Sequence, residues 1–340
     1  MNSAPGTIVV HGAGTIGCLV GGLLAASGAR VRLLGRPRMI DELKHFGMHL
    51  TDLAGRQQEV PREWLQLRTD AAALGGAGLI LLTVKSQATA AAAAEIAAHA
   101  DRGTLVLSLQ NGVRNAVELR SLLPQQQVLA GMVPFNVVHA GEGRFHRATE
   151  GELHAQDVEA LRPWLAAFAQ AGLPLQLAKD LGAVLWGKLL LNLNNPINAL
   201  SNIPLRDELS QRAYRHVLAL LQSEALALMQ RAGIRPAKVA KVGPRWLPHL
   251  LRLPDWLFRR LAARMLEIAP QARSSMWEDF EKDRPTEIDA INGEIVRLAL
   301  ELGTSAPANQ RVVELVRMAE NGGKRDYTGK ELLAAVQEAM

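Results

Sequence analysis

The run Gly12-Ala13-Gly14-Thr15-Ile16-Gly17 constrains this chain more than any other stretch, because of what flanks it. Thr7-Ile8-Val9-Val10 before it reads as a short buried strand, and residues 18–26 after it read as a helix. A strand that turns through G-x-G-x-x-G into a helix is the dinucleotide-binding pattern in its required context. Gly12 permits the tight turn, Gly14 lets a pyrophosphate approach the backbone, and Gly17 lets the helix lie close on the strand. The helix N-terminus then offers unbonded N–H groups and a partial positive charge to the phosphates. Ala13, Thr15 and Ile16 complete the loop and count among the expected cofactor contacts.

The next strand says which dinucleotide. Residues 30–34 form a second strand about twenty residues past the glycines, as a mononucleotide-binding half requires. An NAD site commonly ends that strand with Asp or Glu, which takes the ribose 2′-hydroxyl. Here the strand runs into Gly35-Arg36-Pro37-Arg38, with no carboxylate. A guanidinium binds a 2′-phosphate through two parallel hydrogen bonds, where an acid would repel it. The expected cofactor is NADP(H), with Arg36 as its main 2′-phosphate contact; the alternative is a solvated basic turn.

At 340 residues the chain has room for two domains, each with its own core. The first half alternates apolar strands (residues 78–84 and 104–109) with helices (86–100 and 116–123). Residues 128–153 read as strands at the sheet's far edge, 157–171 as a helix and 173–177 as a last strand. From residue 180 the period-two pattern vanishes, and helical periodicity covers 181–193, 214–232, 258–281, 287–302 and 309–320. The expected fold is an α/β Rossmann-type N-terminal domain, residues 1–178, followed by an all-α C-terminal domain, residues 179–340. The active site is expected in the cleft between the two.

Charge and cysteine content narrow the partners. The net charge of +5 suits anionic ligands, the arginines are dispersed, and no nucleic-acid motif is present. One cysteine, Cys18, cannot form an internal disulfide, which fits a cytoplasmic protein. No Cys/His group has zinc spacing, so no metal is expected. The apolar run 16–26 lacks a preceding basic segment and falls short of the ~20 residues a bilayer span needs. Residues 242–264 mix Trp246, Trp256 and Phe258 with five arginines. They read as an extra helix pair, since Pro248 and Pro254 interrupt any long amphipathic helix; the other reading is a lid or membrane-surface segment.

Two constellations carry chemistry. In Trp186-Gly187-Lys188-Leu189, continuing to Asn192, Asn194 and Asn195, Lys188 and Asn192 are four apart and share a helix face. An apolar helix bearing a lysine and asparagines on one stripe needs polar partners, which a substrate would supply. A lysine beside a ketone can hold the oxygen and donate a proton. The alternative is a snorkelling lysine with asparagines that cap or bridge helices. The second constellation joins Arg273-Ser274-Ser275-Met276 with Thr286-Glu287-Ile288-Asp289 and Ile291-Asn292-Gly293.

Taken with Val84-Lys85 and Gln110-Asn111-Gly112, these motifs make the chain resemble the ketopantoate reductases (2-dehydropantoate 2-reductases) nearly end to end. The resemblance implies NADPH-dependent reduction of ketopantoate to D-pantoate, on the route to pantothenate and coenzyme A. It implies Lys188 as proton donor, Asn111 between cofactor and substrate, and Asn192 and Ser275 on the substrate. It further implies Glu287 close to cofactor and lysine, Lys85 near the nicotinamide end, Val137 meeting the cofactor through its backbone, and a homodimer. Asn195 departs from the pattern, coming three residues after Asn192 where some members space the pair by four. One residue turns a helix by about 100°, so either Asn194 or Asn195 faces the substrate. The rival readings are another 2-keto acid reductase, a β-hydroxyacid or glycerol-3-phosphate-type dehydrogenase, and a non-enzymatic NADP-sensing module.

Overall fold

Short, continuously apolar strands must be covered on both faces. The computed structural model, which describes residues 5–238, 242–261 and 271–340, covers them in this way. The chain divides into two compact units, Met1–Leu181 and Gly182–Met340.

The first unit is built on β1 (Thr7–His11), β2 (Val31–Leu34), β3 (Met48–Asp52), β4 (Gln57–Val60), β5 (Gln66–Arg68) and β6 (Ala77–Leu82). These are followed by β7 (Leu105–Ser108), β8 (Gln127–Met132), β9 (Val137–His139), β10 (Arg144–Arg147), β11 (Leu153–Gln156) and β12 (Leu175–Ala178). Eight strands form one sheet in the order β12-β11-β8-β7-β6-β1-β2-β5, parallel except where β11 meets β8. Strand order reverses beside β1, so the carboxyl ends of β1 and β6 flank the switch point at which such sheets bind ligands. Ile8 and Val10 face the first helix, Thr15–Ala26 (α1), while Val9, Ile80 and Leu82 pack with Ala92, Ala93 and Ile96 of helix Thr89–His99.

A second sheet, β4-β3-β10-β9, lies against the other side of α1. Adjacent glycines make this sandwich possible. A Cβ on Gly21 would stand 2.5 Å from Leu33 Cδ2 and 2.9 Å from Val10 Cγ2, in the large sheet. One on Gly22 would stand 2.7 Å from Met48 Sδ and 2.9 Å from Leu50 Cδ1, in the small one. Cys18, on the same helix, is wholly buried, and that burial pushes its thiol pKa up.

This sheet corrects the expected edge position of residues 128–153. Only β8 and β11 join the large sheet, and β8 lies inside it. Strand β10 instead pairs with β3, and β9 with β10, because Val137 and Phe145 are buried with Met48 and Leu50 over α1. The expected helix at 157–171 begins as a 3₁₀ turn, Glu159–Trp164, since Pro163 has no N–H to donate, and becomes α-helical only at Leu165–Gln170.

From Leu181 onward the described residues hold helices and no strand. The longest is Arg212–Arg231. The single helix expected at 258–281 is not formed as such. Asp255–Leu261 and Ser275–Glu281 are separate, and Ser274 caps the second by accepting the Trp277 N–H at 3.1 Å. Residues 262–270 of that expectation, Arg264 among them, lie outside the described residues.

The Trp- and Arg-rich stretch forms two short helices, Leu247–Leu251 and Asp255–Leu261, pinned by one buried residue. Arg215 donates to the carbonyls of Leu251 (3.2 Å), Leu253 (2.8 Å) and Leu209 (3.0 Å) and pairs with Asp255 at 2.8 Å. Its guanidinium also lies over the Phe258 ring, 4.1 Å from the centroid. Trp246 and Trp256 are exposed.

Gly21→Val should destabilise the protein by about 1–3 kcal/mol through overpacking against Leu33 and Val10. Chemical denaturation would register this as a lower midpoint with an unchanged slope.

Candidate functional site

The glycine loop is held open by its neighbours. Gly12 sits at a φ of +107°, and a Cβ there would lie 2.6 Å from Val84 N, so no other residue fits without strain. Thr83 donates from its hydroxyl to Gly12 O at 2.7 Å and from its amide to His11 O at 2.9 Å. Gly12 and Ala13 both donate to Leu34 O, at 3.0 and 2.8 Å, which ties the loop to the end of β2. A Cβ on Gly17 would run into Gly12 O and Thr83 Oγ1, whereas one on exposed Gly14 would meet nothing closer than 3.8 Å. Space is thus left beside the start of α1, where Cys18 N–H closes the first helical bond, to Gly14 O at 2.8 Å. The amides of Thr15, Ile16 and Gly17 belong to the first turn, which has no intrahelical acceptors.

Arg36 follows β2 directly. It is exposed, caps helix Pro37–Phe46 with extended backbone, and has Pro37 after it in the first turn. Gly35 N–H donates to Arg68 O at 3.1 Å, and a Cβ on Gly35 would crowd Ala13 Cβ at 2.6 Å. Arg36 is therefore fixed one residue beyond the glycine loop's own packing partner.

Lys85 and Asn111, both half-buried, follow β6 and β7. A buried polar network braces these two loops. Gln110 donates to Thr89 Oγ1 at 2.8 Å, Ser108 donates to Gln110 Oε1 at 3.0 Å, and Ser86 donates to Asn111 O at 3.2 Å. The Asn115 amide also donates to Asn111 O. Of the motif residues, Gln110 is structural and Asn111 presents from the loop it fixes. Val137 stands apart, buried in β9 opposite Arg147 in the small sheet.

Sequence reasoning missed His11. It is buried at the end of β1, with Nε2 2.7 Å from Glu95 Oε2, and burial lowers its pKa while Glu95 works against that shift. The signal was a polar residue closing an otherwise apolar strand.

In the helical unit, Lys188 and Asn192 lie one turn apart on helix Leu181–Asn192, both half-buried, while Leu189, Leu190 and Leu193 fill the core. Gln222 braces this helix by donating to Leu190 O at 3.0 Å. Burial brings the Lys188 ammonium down to about 8, and the negative charge of Glu287 partly offsets the fall. Glu287 is buried, 8% exposed, just before the 3₁₀ turn Ile288–Ala290. Its position is set by residues no local motif reveals: Glu320 accepts the Thr286 N–H at 2.8 Å, and Arg317 pairs with Asp289 at 2.6 Å.

The two neighbouring asparagines take different places. Asn194 turns its side-chain amide toward buried Glu208, whereas half-buried Asn195 opens helix Asn195–Ser201. The two serines also divide. Ser274 is buried as a helix cap, and Ser275, the first helical residue, is exposed. No group of three or more His, Cys, Asp or Glu among the described residues could hold a metal ion. None of the described helices is long and apolar enough to cross a membrane.

Comparison with known proteins decides the family. The model of ketopantoate reductase PanE/ApbA matches residues 8–160, and that of its C-terminal part matches residues 180–320. The chain belongs to the ketopantoate reductase family. It is accordingly an oxidoreductase. The 2-dehydropantoate 2-reductase of Halobacterium salinarum is 26% identical over 334 residues, covering 93% of this chain and 99% of that protein. A PanE/ApbA family ketopantoate reductase from Ralstonia eutropha JMP134 superposes with a TM-score of 0.79 at 31% identity, covering 93% of this chain and 99% of that one. D-mandelate dehydrogenase, in a ternary structure with NADH and anilino(oxo)acetate, shares the fold at a TM-score of 0.76 and 20% identity over 93% of this chain and 99% of its own.

If protonated Lys188 is the working form, turnover should hold below pH about 8 and fall as pH rises through that value. Because the Glu287 charge raises the lysine's proton affinity, Glu287→Gln should move the midpoint of the kcat–pH profile to lower pH.

Proposed function

We propose that this enzyme reduces 2-dehydropantoate to D-pantoate with NADPH, with Lys188 donating the proton. The observation that carries the proposal is the half-buried Lys188 ammonium, brought near neutrality by desolvation and kept charged by Glu287, on a chain of this family.

The residues present fit a nicotinamide dinucleotide. The opening at Gly14 lies beside the N-terminus of α1, and the end of β2 carries Arg36 in place of a carboxylate. When bound, the cofactor supplies the hydride. The first-turn amides of α1 would hold the pyrophosphate, and Arg36 the 2′-phosphate. Lys85 and Asn111 would serve the nicotinamide end, with Val137 contributing only backbone. Asn192, Asn195 and Ser275 would orient the hydroxyl and carboxylate of the keto acid. Lys188 holds the carbonyl oxygen, stabilises its developing charge and protonates it. Glu287 favours the ammonium and keeps it oriented.

On this reading residues 1–178 bind the cofactor, and residues 179–340 bind substrate and form a homodimer. The sole cysteine, buried as a thiol, suits a reducing cytoplasm. A second reading, a dehydrogenase for another 2-hydroxy acid, has in its favour the fold shared with D-mandelate dehydrogenase.

Cofactor oxidation followed by absorbance, with ketopantoate, phenylglyoxylate and smaller 2-keto acids, separates the two. Ketopantoate should give the highest kcat/KM, and a preference for the aromatic acid would support the second reading. Lys188→Ala should lower kcat by roughly 10²–10⁴-fold with the fold intact. Arg36→Ala should weaken NADPH binding roughly 10- to 100-fold, the worth of one charge-assisted pair, and leave NADH binding unchanged. Equal effects on both cofactors would remove Arg36 from the 2′-phosphate.

A further inference from the structure

Beneath Asn195 and Ser275 lies a buried carboxyl that no step of the reaction uses. Glu208, on helix Leu205–Ser210, has no exposed surface. Its Oε2 accepts from Asn198 Nδ2 at 2.8 Å, and the same amide also reaches Ile203 O at 2.9 Å. Asn198 is itself fully buried, and its Oδ1 accepts the Ser274 N–H at 2.8 Å. Ser274 Oγ in turn donates to Asn195 O at 3.1 Å and accepts from Trp277 N–H at 3.1 Å. A chain of polar contacts thus runs from Glu208 through Asn198 to the cap of the Ser275 helix, and back to the first residue of the Asn195 helix. On the other side Asn194 also bonds to Glu208.

We propose that Glu208 is a positioning residue for the substrate, fixing Asn195 and Ser275 relative to each other by locking the junction of their two helices. The proposal rests on the keto-acid reading above. The chemistry of the position supports it. Burial pushes the Glu208 carboxyl up to about 8, so it is held as a neutral acid near pH 7. A neutral acid can both accept from Asn198 and donate its own proton. Among the described residues neither Glu208 Oε1 nor Asn194 Oδ1 has a hydrogen-bond partner, and a proton on Oε1 turns one of these two buried acceptors into a donor. An apolar residue here would leave one Asn198 amide hydrogen unpaired and free both helices to shift, which would misplace the two side chains that hold the substrate and weaken its binding.

The experiment measures kcat and KM for the keto acid, and Kd for NADPH, in Glu208→Ala and Glu208→Gln. Glutamine keeps the shape and offers one acceptor and one donor. Glu208→Ala should raise the keto-acid KM at least tenfold, hold kcat within about threefold and leave NADPH Kd unchanged; Glu208→Gln should restore KM to within about twofold. If the alanine protein does not fold, Glu208→Asp, which draws the carboxyl back by one methylene, should raise KM about threefold. A KM unchanged in Ala or Asp, or raised equally in Ala and Gln, overturns the proposal. A wild-type enzyme that reduces no 2-keto acid overturns the keto-acid reading and this inference with it, so the two failures are distinct.

Discussion

The first unit depends on one helix being clasped between two sheets. A helix lying on a single sheet has one buried stripe. Here α1 has two, with Gly21 against Leu33 and Val10 and Gly22 against Met48 and Leu50. Neither contact is compatible with a side chain, so adjacent glycines replace helix-favouring residues in mid-helix, at roughly 1 kcal/mol each relative to alanine. Packing on both sides offsets that cost. It also fixes the axis of the helix into which the glycine loop leads. Gly17, Gly12 and Thr83 then fix the loop to that helix, and Gly35 fixes the start of the Arg36 segment to the loop.

Tight local contacts of this kind are legible in sequence, because each leaves a residue that could not be otherwise. The glycine loop, the strands β1, β2, β6 and β7, and the switch from α/β to all-helical could be read along the chain. The small sheet could not. Its strands are three to five residues long, and β4 and β10 carry mostly polar residues, since only one face of that sheet is buried. Its pairing of β3 with β10 joins residues almost a hundred positions apart, and no local pattern announces that. The break before Ser275 was hidden for another reason. Helical periodicity continues across it, and only Ser274 marks the cap.

The candidate site divides along the same line. Lys188 and Asn192 stand out along the chain because their residue types clash with an apolar helix, whereas Ser275 and Glu287 enter only through the resemblance to the family. The groups that hold them were not. Glu320 and Arg317 reach Thr286 and Asp289 from about thirty residues away, and Glu208 reaches Ser274 only through Asn198. In the helical unit buried polar groups recur as joints. Glu224 accepts the amides of Ala308 and Asn309, at 3.1 and 2.9 Å, at the start of helix Pro307–Glu320. Arg215 holds the helix pair through two carbonyls and an aspartate, and ties it to helix Leu205–Ser210 through the Leu209 carbonyl. Short helices joined by tight loops bury little apolar area each, so directional bonds set their register.

The sandwiched helix also carries the chain's sole sulfhydryl. Cys18 has no accessible surface and a thiol that resists ionisation, and it sits one residue past the end of the glycine loop. An alkylating reagent can reach it only when the packing around α1 opens. Its rate of labelling therefore clocks the breathing of the first unit from within, with no foreign probe added.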